Sequence, residues 1–248
     1  MRHWKKYLLL GLGIGLLACN DQEETILVYP EEDPDTTTET PRDLTGAIYY
    51  LALGDSYTIG ESVQEEERYP MQLADSLRKN DVDVAEVKIV ARTGWTTDEL
   101  TTALARENLQ EGDYNLVSLL IGVNNQYRGY SLVEYQSAFT DLLNQAVAYA
   151  GGHKDRVFVV SIPDWGVTPF GQIYGNPQRT AEEIDRFNDV NFSITEAKGI
   201  RYFDITPISR EALDDRSLVA SDGLHPSGQM YTRWVELMLP EILKMMGR

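Results

Sequence analysis

Short apolar runs alternate with longer amphipathic stretches over residues 48–245, and the two periods are easy to separate. Residues 48–53, 84–91, 114–121, 156–162 and 200–205 are strand-length, apolar or β-branched, and bounded by Gly, Asn or Asp, so each predicts a buried strand. Between them the apolar spacing changes to three and four. Met71, Leu73, Ala74 and Leu77 give one face to a helix over 70–80 with Pro70 in its first turn, and Leu100, Leu104 and Leu109 do so for a helix over 97–109. Ser131 with Glu134 reads as a capping box opening a helix to Ala150, which Gly151 and Gly152 end. Thr180 is read as the cap of a helix to Lys198, and a last helix covers 227–245. Residues 61–68 and 163–179 read as loops. Five strands separated by helices predict an α/β fold, a three-layer sandwich with a five-stranded parallel sheet covered on both faces. The serine-bearing and histidine-bearing loops described below then lie at strand exits, where open α/β sheets bind ligands.

The first 45 residues break this pattern. Arg2, Lys5 and Lys6 precede an apolar run over 8–18 and then Cys19, the layout of a signal peptide in residues 1–18. The run is shorter than the ~20 residues that span a bilayer. Its glycines, Gly11, Gly13 and Gly15, precede no strand-turn-helix unit and make no dinucleotide fingerprint. Leu16-Leu17-Ala18-Cys19 resembles the bacterial lipobox, which implies lipidation of Cys19 and an exported, membrane-anchored lipoprotein of the periplasm or cell surface; loss of membrane fractionation on Cys19→Ser is its check. Residues 19–45, rich in Asp, Glu, Thr and Pro, read as a linker, leaving 46–248 as one domain.

Composition removes several function classes. A net charge of −17 is the wrong sign for nucleic acid, whose phosphates demand a basic surface. One cysteine and no paired-histidine spacing give no support for a metal site, and no cofactor is implied.

The candidate chemistry sits at the strand ends. Gly54-Asp55-Ser56 ends the first apolar run and presents a serine, and Asp222-Gly223-Leu224-His225-Pro226 supplies a carboxylate and an imidazole in one loop. Of three histidines, His3 falls in the leader and His153 at the amino-terminal side of the sheet, which leaves His225 as the base for Ser56. A spacing of three can place Asp222 against the far ring nitrogen of His225, although Asp-Gly is equally a turn signal. The Gly-x-Ser-x-Gly elbow of α/β-hydrolases is ruled out by Thr58, which stands where its second glycine belongs.

Gly54-Asp55-Ser56, Gly94, Gly122-Val123-Asn124 and Asp222-x-x-His225 together resemble the four ordered blocks of the SGNH (GDSL) hydrolases, from about Ile48 to the C-terminus. The resemblance implies a flavodoxin-like sheet and a serine esterase or acylhydrolase working through an acyl-serine. Ser56, His225 and Asp222 would be its catalytic residues, with the Ser56 and Gly94 backbone N–H groups and the Asn124 amide as oxyanion donors. The substrate would be an acetyl or short-acyl ester of a carbohydrate or lipid. Gly94 and Asn124 also read as plain turn residues. Asn125 departs from the Asp that many members carry there, which puts the positioning of Asn124 in question. Tyr57, Trp95, Tyr127 and Trp165 occupy strand-exit loops as candidate pocket residues. The rival reading is a hydrolase-like surface module that binds glycans without turnover.

Overall fold

The computed structural model describes residues 46–248, so residues 1–45, on which the signal-peptide, Cys19 lipidation and linker expectations fall, lie outside the described residues. Strands β1 (Ile48–Gly54), β2 (Val84–Ala91), β3 (Leu116–Leu120), β4 (Val157–Val160) and β5 (Arg201–Phe203) form one sheet in the order β2-β1-β3-β4-β5. Every pairing is parallel. This is the flavodoxin-like order. The chain leaves β1 for β2 on one side and then crosses to β3 on the other, which opens a crevice at the carboxyl ends of β1 and β3.

The apolar pattern explains the order. All five residues of β3 are buried, as a central strand covered on both faces requires, whereas Glu86 on β2 is exposed, as an edge tolerates. Ser118 is the one polar residue of β3, and it holds the hydroxyls of two fully buried tyrosines, Tyr50 at 2.8 Å and Tyr69 at 3.1 Å. Buried hydroxyls need such a partner.

Helices cover both faces. The helix α1 (Ser56–Ile59) is a single turn after β1. One layer pairs α2 (Tyr69–Lys79) with α9 (Gly228–Met245) through Tyr69, Tyr231 and Trp234, whose rings meet 5.0–6.3 Å apart. The other packs α5 (Leu132–Tyr149) against α3 (Thr97–Leu104) and α7 (Pro177–Ala197). Shorter helices, α4 (Val123–Tyr127), α6 (Pro169–Tyr174) and α8 (Thr206–Arg210), stand in strand-exit segments.

Several elements differ from the sequence expectation: β3 and β4 are shorter than 114–121 and 156–162, and the 61–68 loop holds a 3-10 turn at Glu65–Glu67. The third helix stops at Leu104 rather than 109, because Arg106, Glu107 and Asn108 offer no apolar face; Leu109 packs against the core from a loop. The helix expected to begin at Thr180 begins at Pro177, because the Asn176 side chain accepts from the Arg179 N–H (3.2 Å) and Pro177 suits a first turn. The loop expected over 163–179 contains a 3-10 turn and α6. β5 is only three residues long and is followed directly by α8.

The chain joins the sheet at the amino end of β1, while the loops bearing Ser56, Gly94, Asn124, Trp165 and His225 all leave its carboxyl end. Among the described residues no helix is long and apolar enough to cross a membrane.

Candidate active site

Ser56 is positioned by the residues on either side of it. A Cβ on Gly54 would run into Thr58 and the Leu120 carbonyl, so only glycine lets the end of β1 lie this close to β3 and to α1. Asp55 caps α1, its Oδ1 accepting from the Tyr57 N–H at 3.0 Å, and that places Ser56 at the first helical position, 4% exposed.

The Asp55 carboxyl is fully buried and its Oδ2 has no hydrogen-bond partner. Burial pushes its pKa up from 3.8 to about 7, against the lowering effect of the Tyr57 N–H. A folded-state pKa above the unfolded one means the folded chain holds this proton more tightly. The contribution to stability is therefore complete below the unfolded value of 3.8 and is lost as pH rises through about 7. Asp55→Asn keeps the Oδ1 acceptor without the charge. Between pH 5 and 8 the wild type is expected to lose roughly 2–4 kcal/mol more stability than this variant in urea titrations; parallel losses in the two proteins would refute the assignment.

The histidine arrives from the other end of the chain. Val219 bridges Pro226, the Ala220 N–H donates to the His225 carbonyl (2.7 Å), and the loop between is a tight turn. Within it Asp222 Oδ1 accepts from the Leu224 and His225 N–H groups at 2.9 and 3.0 Å, while Oδ2 lies 2.6 Å from His225 Nδ1. Oδ2 also accepts from Ser62 Oγ at 2.8 Å. Partial burial pushes the Asp222 pKa up, but these hydrogen bonds, led by the His225 ring, outweigh it and hold the group at about 2. An ionised carboxylate can only accept, so in the neutral imidazole Nδ1 carries the proton and Nε2 keeps a free lone pair. The His225 ring rests against Tyr57, centroids 5.5 Å apart.

Ser62 could not have been found from sequence. It lies 160 residues from Asp222, in a polar loop, with a left-handed backbone (φ 66°) that a serine adopts at some cost.

The loop after β2 and the helix after β3 are tied together by three side chains. Asn124 Nδ2 donates to the Trp95 carbonyl (2.9 Å), and Arg128 Nη2 donates to the Gly94 carbonyl (2.6 Å). Asn125, fully buried, accepts from the Thr97 N–H through Oδ1 (3.1 Å) and donates to Thr97 Oγ1 through Nδ2 (2.8 Å). The bond from Asn124 to Trp95 uses one of the two protons on its amide nitrogen and leaves the other. Asn125 thus ties α4 to the start of α3 without a buried charge. Gly94 has φ 87°, and a Cβ there would meet only Arg128 Nη2 at an ordinary 3.8 Å, so the backbone turn, rather than crowding, is what asks for glycine.

A cavity of about 210 Å³ gathers Ser56, Tyr57, Asn124, Tyr127, Trp165 and His225. Val123, Phe170 and Leu224 complete its wall; the sequence reading missed them because single apolar residues in a loop or in helices as short as α4 and α6 carry no periodic signal. Asp222 stands behind His225. Gly94 and Trp95 are not in this lining; the Trp95 side chain packs against the core, and its carbonyl holds Asn124. Trp165 is fixed by Gln126, whose Oε1 accepts from Nε1 at 2.8 Å. Its loop is pinned by Arg210 of α8, which pairs with buried Asp164 at 2.9 Å. Among the described residues no group of three His, Cys, Asp or Glu side chains could hold a metal ion.

A GDSL-like lipase/acylhydrolase family model matches residues 52–233, well over half of the chain. The chain belongs to that family. GDSL-family members are ester hydrolases, and ester hydrolysis is the activity class of this protein. No curated protein matches the chain. The GDSL fold recurs among solved structures. TesA is 18% identical with a TM-score of 0.60, over 79% of this chain and 98% of its own. The acetylxylan esterase Axe2 from Geobacillus stearothermophilus is 19% identical (TM-score 0.57; 82% and 96% covered). A lipase/acylhydrolase from Enterococcus faecalis is 20% identical (0.59; 78% and 94%). At these identities the structural likeness shows the fold.

Proposed function

We propose that this esterase works through an acyl-serine at Ser56 and that its acyl groups are short. The observation that carries the reading is the 2.6 Å contact between ionised Asp222 and His225 Nδ1, which leaves Nε2 as a base in the cavity that Ser56 also lines. His225 Nε2 takes the Ser56 hydroxyl proton as Oγ attacks the ester carbonyl, and Asp222 stabilises the resulting imidazolium. The Ser56 N–H group and the free Asn124 amide proton, both in this cavity, are donors for the oxyanion, and the Gly94 N–H, outside this lining, is the third that the family resemblance implies. Collapse breaks the C–O bond to the alcohol, which leaves with the proton from His225. Water then attacks the acyl-serine by the same route, releasing the acid and restoring Ser56.

The size of the cavity supports short acyl groups. Its 210 Å³ lies below the ~300–1,000 Å³ of sites that enclose a whole small molecule, and its apolar wall suits a methyl or short alkyl chain. That one of the structural neighbours is an acetylxylan esterase agrees with this.

Labelling with a reactive alkylphosphonate tests the nucleophile. The reagent's mass is expected on the proteolytic peptide containing Ser56, with hydrolysis of 4-nitrophenyl acetate lost in proportion. Full inactivation with the label on another residue would refute the assignment.

A further inference from the structure

A second cleft, about 560 Å³, adjoins the cavity that holds Ser56, and the two share Tyr127 and Trp165. These rings meet edge to face, 5.5 Å apart at 73°, and so form the partition between the two spaces. The Ser56 side is walled by Val123, Phe170 and Leu224. The far side is different in chemistry: Tyr130, Tyr174, Asn176, Arg179, Glu183 and Arg186 border it.

Hydrogen bonds run from the partition into this cleft. Trp165 Nε1 donates to Gln126 Oε1 (2.8 Å), Gln126 Nε2 donates to Glu183 Oε2 (2.7 Å), and Arg179 Nε donates to Glu183 Oε1 (2.6 Å). Glu183 is thereby held with its charge facing the cleft side of the wall. Arg186 is held only loosely, its Nε 3.4 Å from the Glu182 carbonyl. Tyr174 and Tyr127 leave large ring areas uncovered at the rim, with 74% and 62% exposure.

We infer that this cleft receives the alcohol part of the ester and that the alcohol is a carbohydrate. The inference rests on the assignment of Ser56 as nucleophile in the adjoining cavity. A sugar ring has apolar C–H faces that stack on aromatic rings and hydroxyls that need donors and acceptors around its edge. Tyr127 and Tyr174 offer the first, and Arg186, Asn176 and Glu183 the second. An alkyl chain in the same place would strip water from Arg179, Arg186 and Glu183 and return no hydrogen bonds, which is costly. The volume is that of a site for a whole small molecule, where the Ser56 cavity fits only the reacting group. Hydrolysis then cleaves the bond between the acyl carbon and the sugar oxygen. The sugar departs as the free alcohol, its oxygen protonated by His225, and water supplies the hydroxyl of the acid.

Tyr174→Ala and Arg186→Ala, both at exposed positions, test this with acetylated xylo-oligosaccharides, 4-nitrophenyl acetate and 4-nitrophenyl octanoate. The ratio of kcat/KM for the sugar acetate to that for 4-nitrophenyl acetate is expected to fall about tenfold or more in each variant. An unchanged ratio would overturn the inference. So would a selective loss on octanoate, which would place acyl chains in the cleft, or a wild type that hydrolyses 4-nitrophenyl acetate and no acetylated sugar. Ser56→Ala assayed alongside keeps the two readings apart, since activity persisting there refutes the serine mechanism whatever the ratio does.

Discussion

Ser56→Ala is expected to lower kcat for 4-nitrophenyl acetate by about six orders of magnitude, to a residue of catalysis near that of the oxyanion donors alone. The size of the effect follows from the chemistry. Without Oγ no acyl-enzyme can form, and His225 and Asp222 then hold a base with nothing to activate except water. Folding should be unaffected, because Ser56 Oγ is not among the side chains that hold α1: that work belongs to Asp55 and to the glycine that precedes it. Unchanged circular dichroism and melting temperature, with turnover lost, is the anticipated pair of results. A variant retaining activity within tenfold of wild type would end the serine mechanism.

Asp222→Asn should cost about four orders of magnitude in kcat, although it changes a single atom. The reason lies in which oxygen is replaced. Oδ1 accepts two backbone N–H groups, from Leu224 and His225, and only an oxygen can stay there, so the amide nitrogen must take the place of Oδ2. It would then point N–H bonds at His225 Nδ1 and at the Ser62 hydroxyl, both of which donate to the native carboxylate. The imidazole would respond by moving its proton to Nε2, the atom that must accept from Ser56. Steady-state kinetics and nitrogen-resolved NMR of the His225 ring would report the loss and its cause together. If kcat falls less than tenfold, the tautomer argument fails.

Much of this was legible in the chain. β2 covers the residues that β-branched spacing predicts, and the Ser131 and Glu134 capping box forms as its sequence implies. That the sheet is parallel and covered on both faces followed from alternation and crossover handedness, whereas its flavodoxin-like order came with the family resemblance. What was hidden depends on contacts between distant residues. α8 is too short for periodicity to show, yet its Arg210 anchors the Trp165 loop. Ser62 and Glu183 look like ordinary surface residues until the fold brings them to Asp222 and Gln126. Trp95, a pocket candidate from its place beside a strand exit, falls outside the Ser56 cavity: its ring packs against the core and its carbonyl holds Asn124.

The chain joins the sheet at the amino end of β1, and the Ser56 cavity opens at the carboxyl end, roughly 20 Å away along a seven-residue strand. For anyone wishing to use this protein on a solid support, the geometry names the attachment point. A bead or electrode coupled at Gly46, exposed just before β1, sits at the pole opposite the mouth and leaves it open to bulky polymers, whereas coupling through Tyr127 or Tyr174 would turn the mouth toward the support.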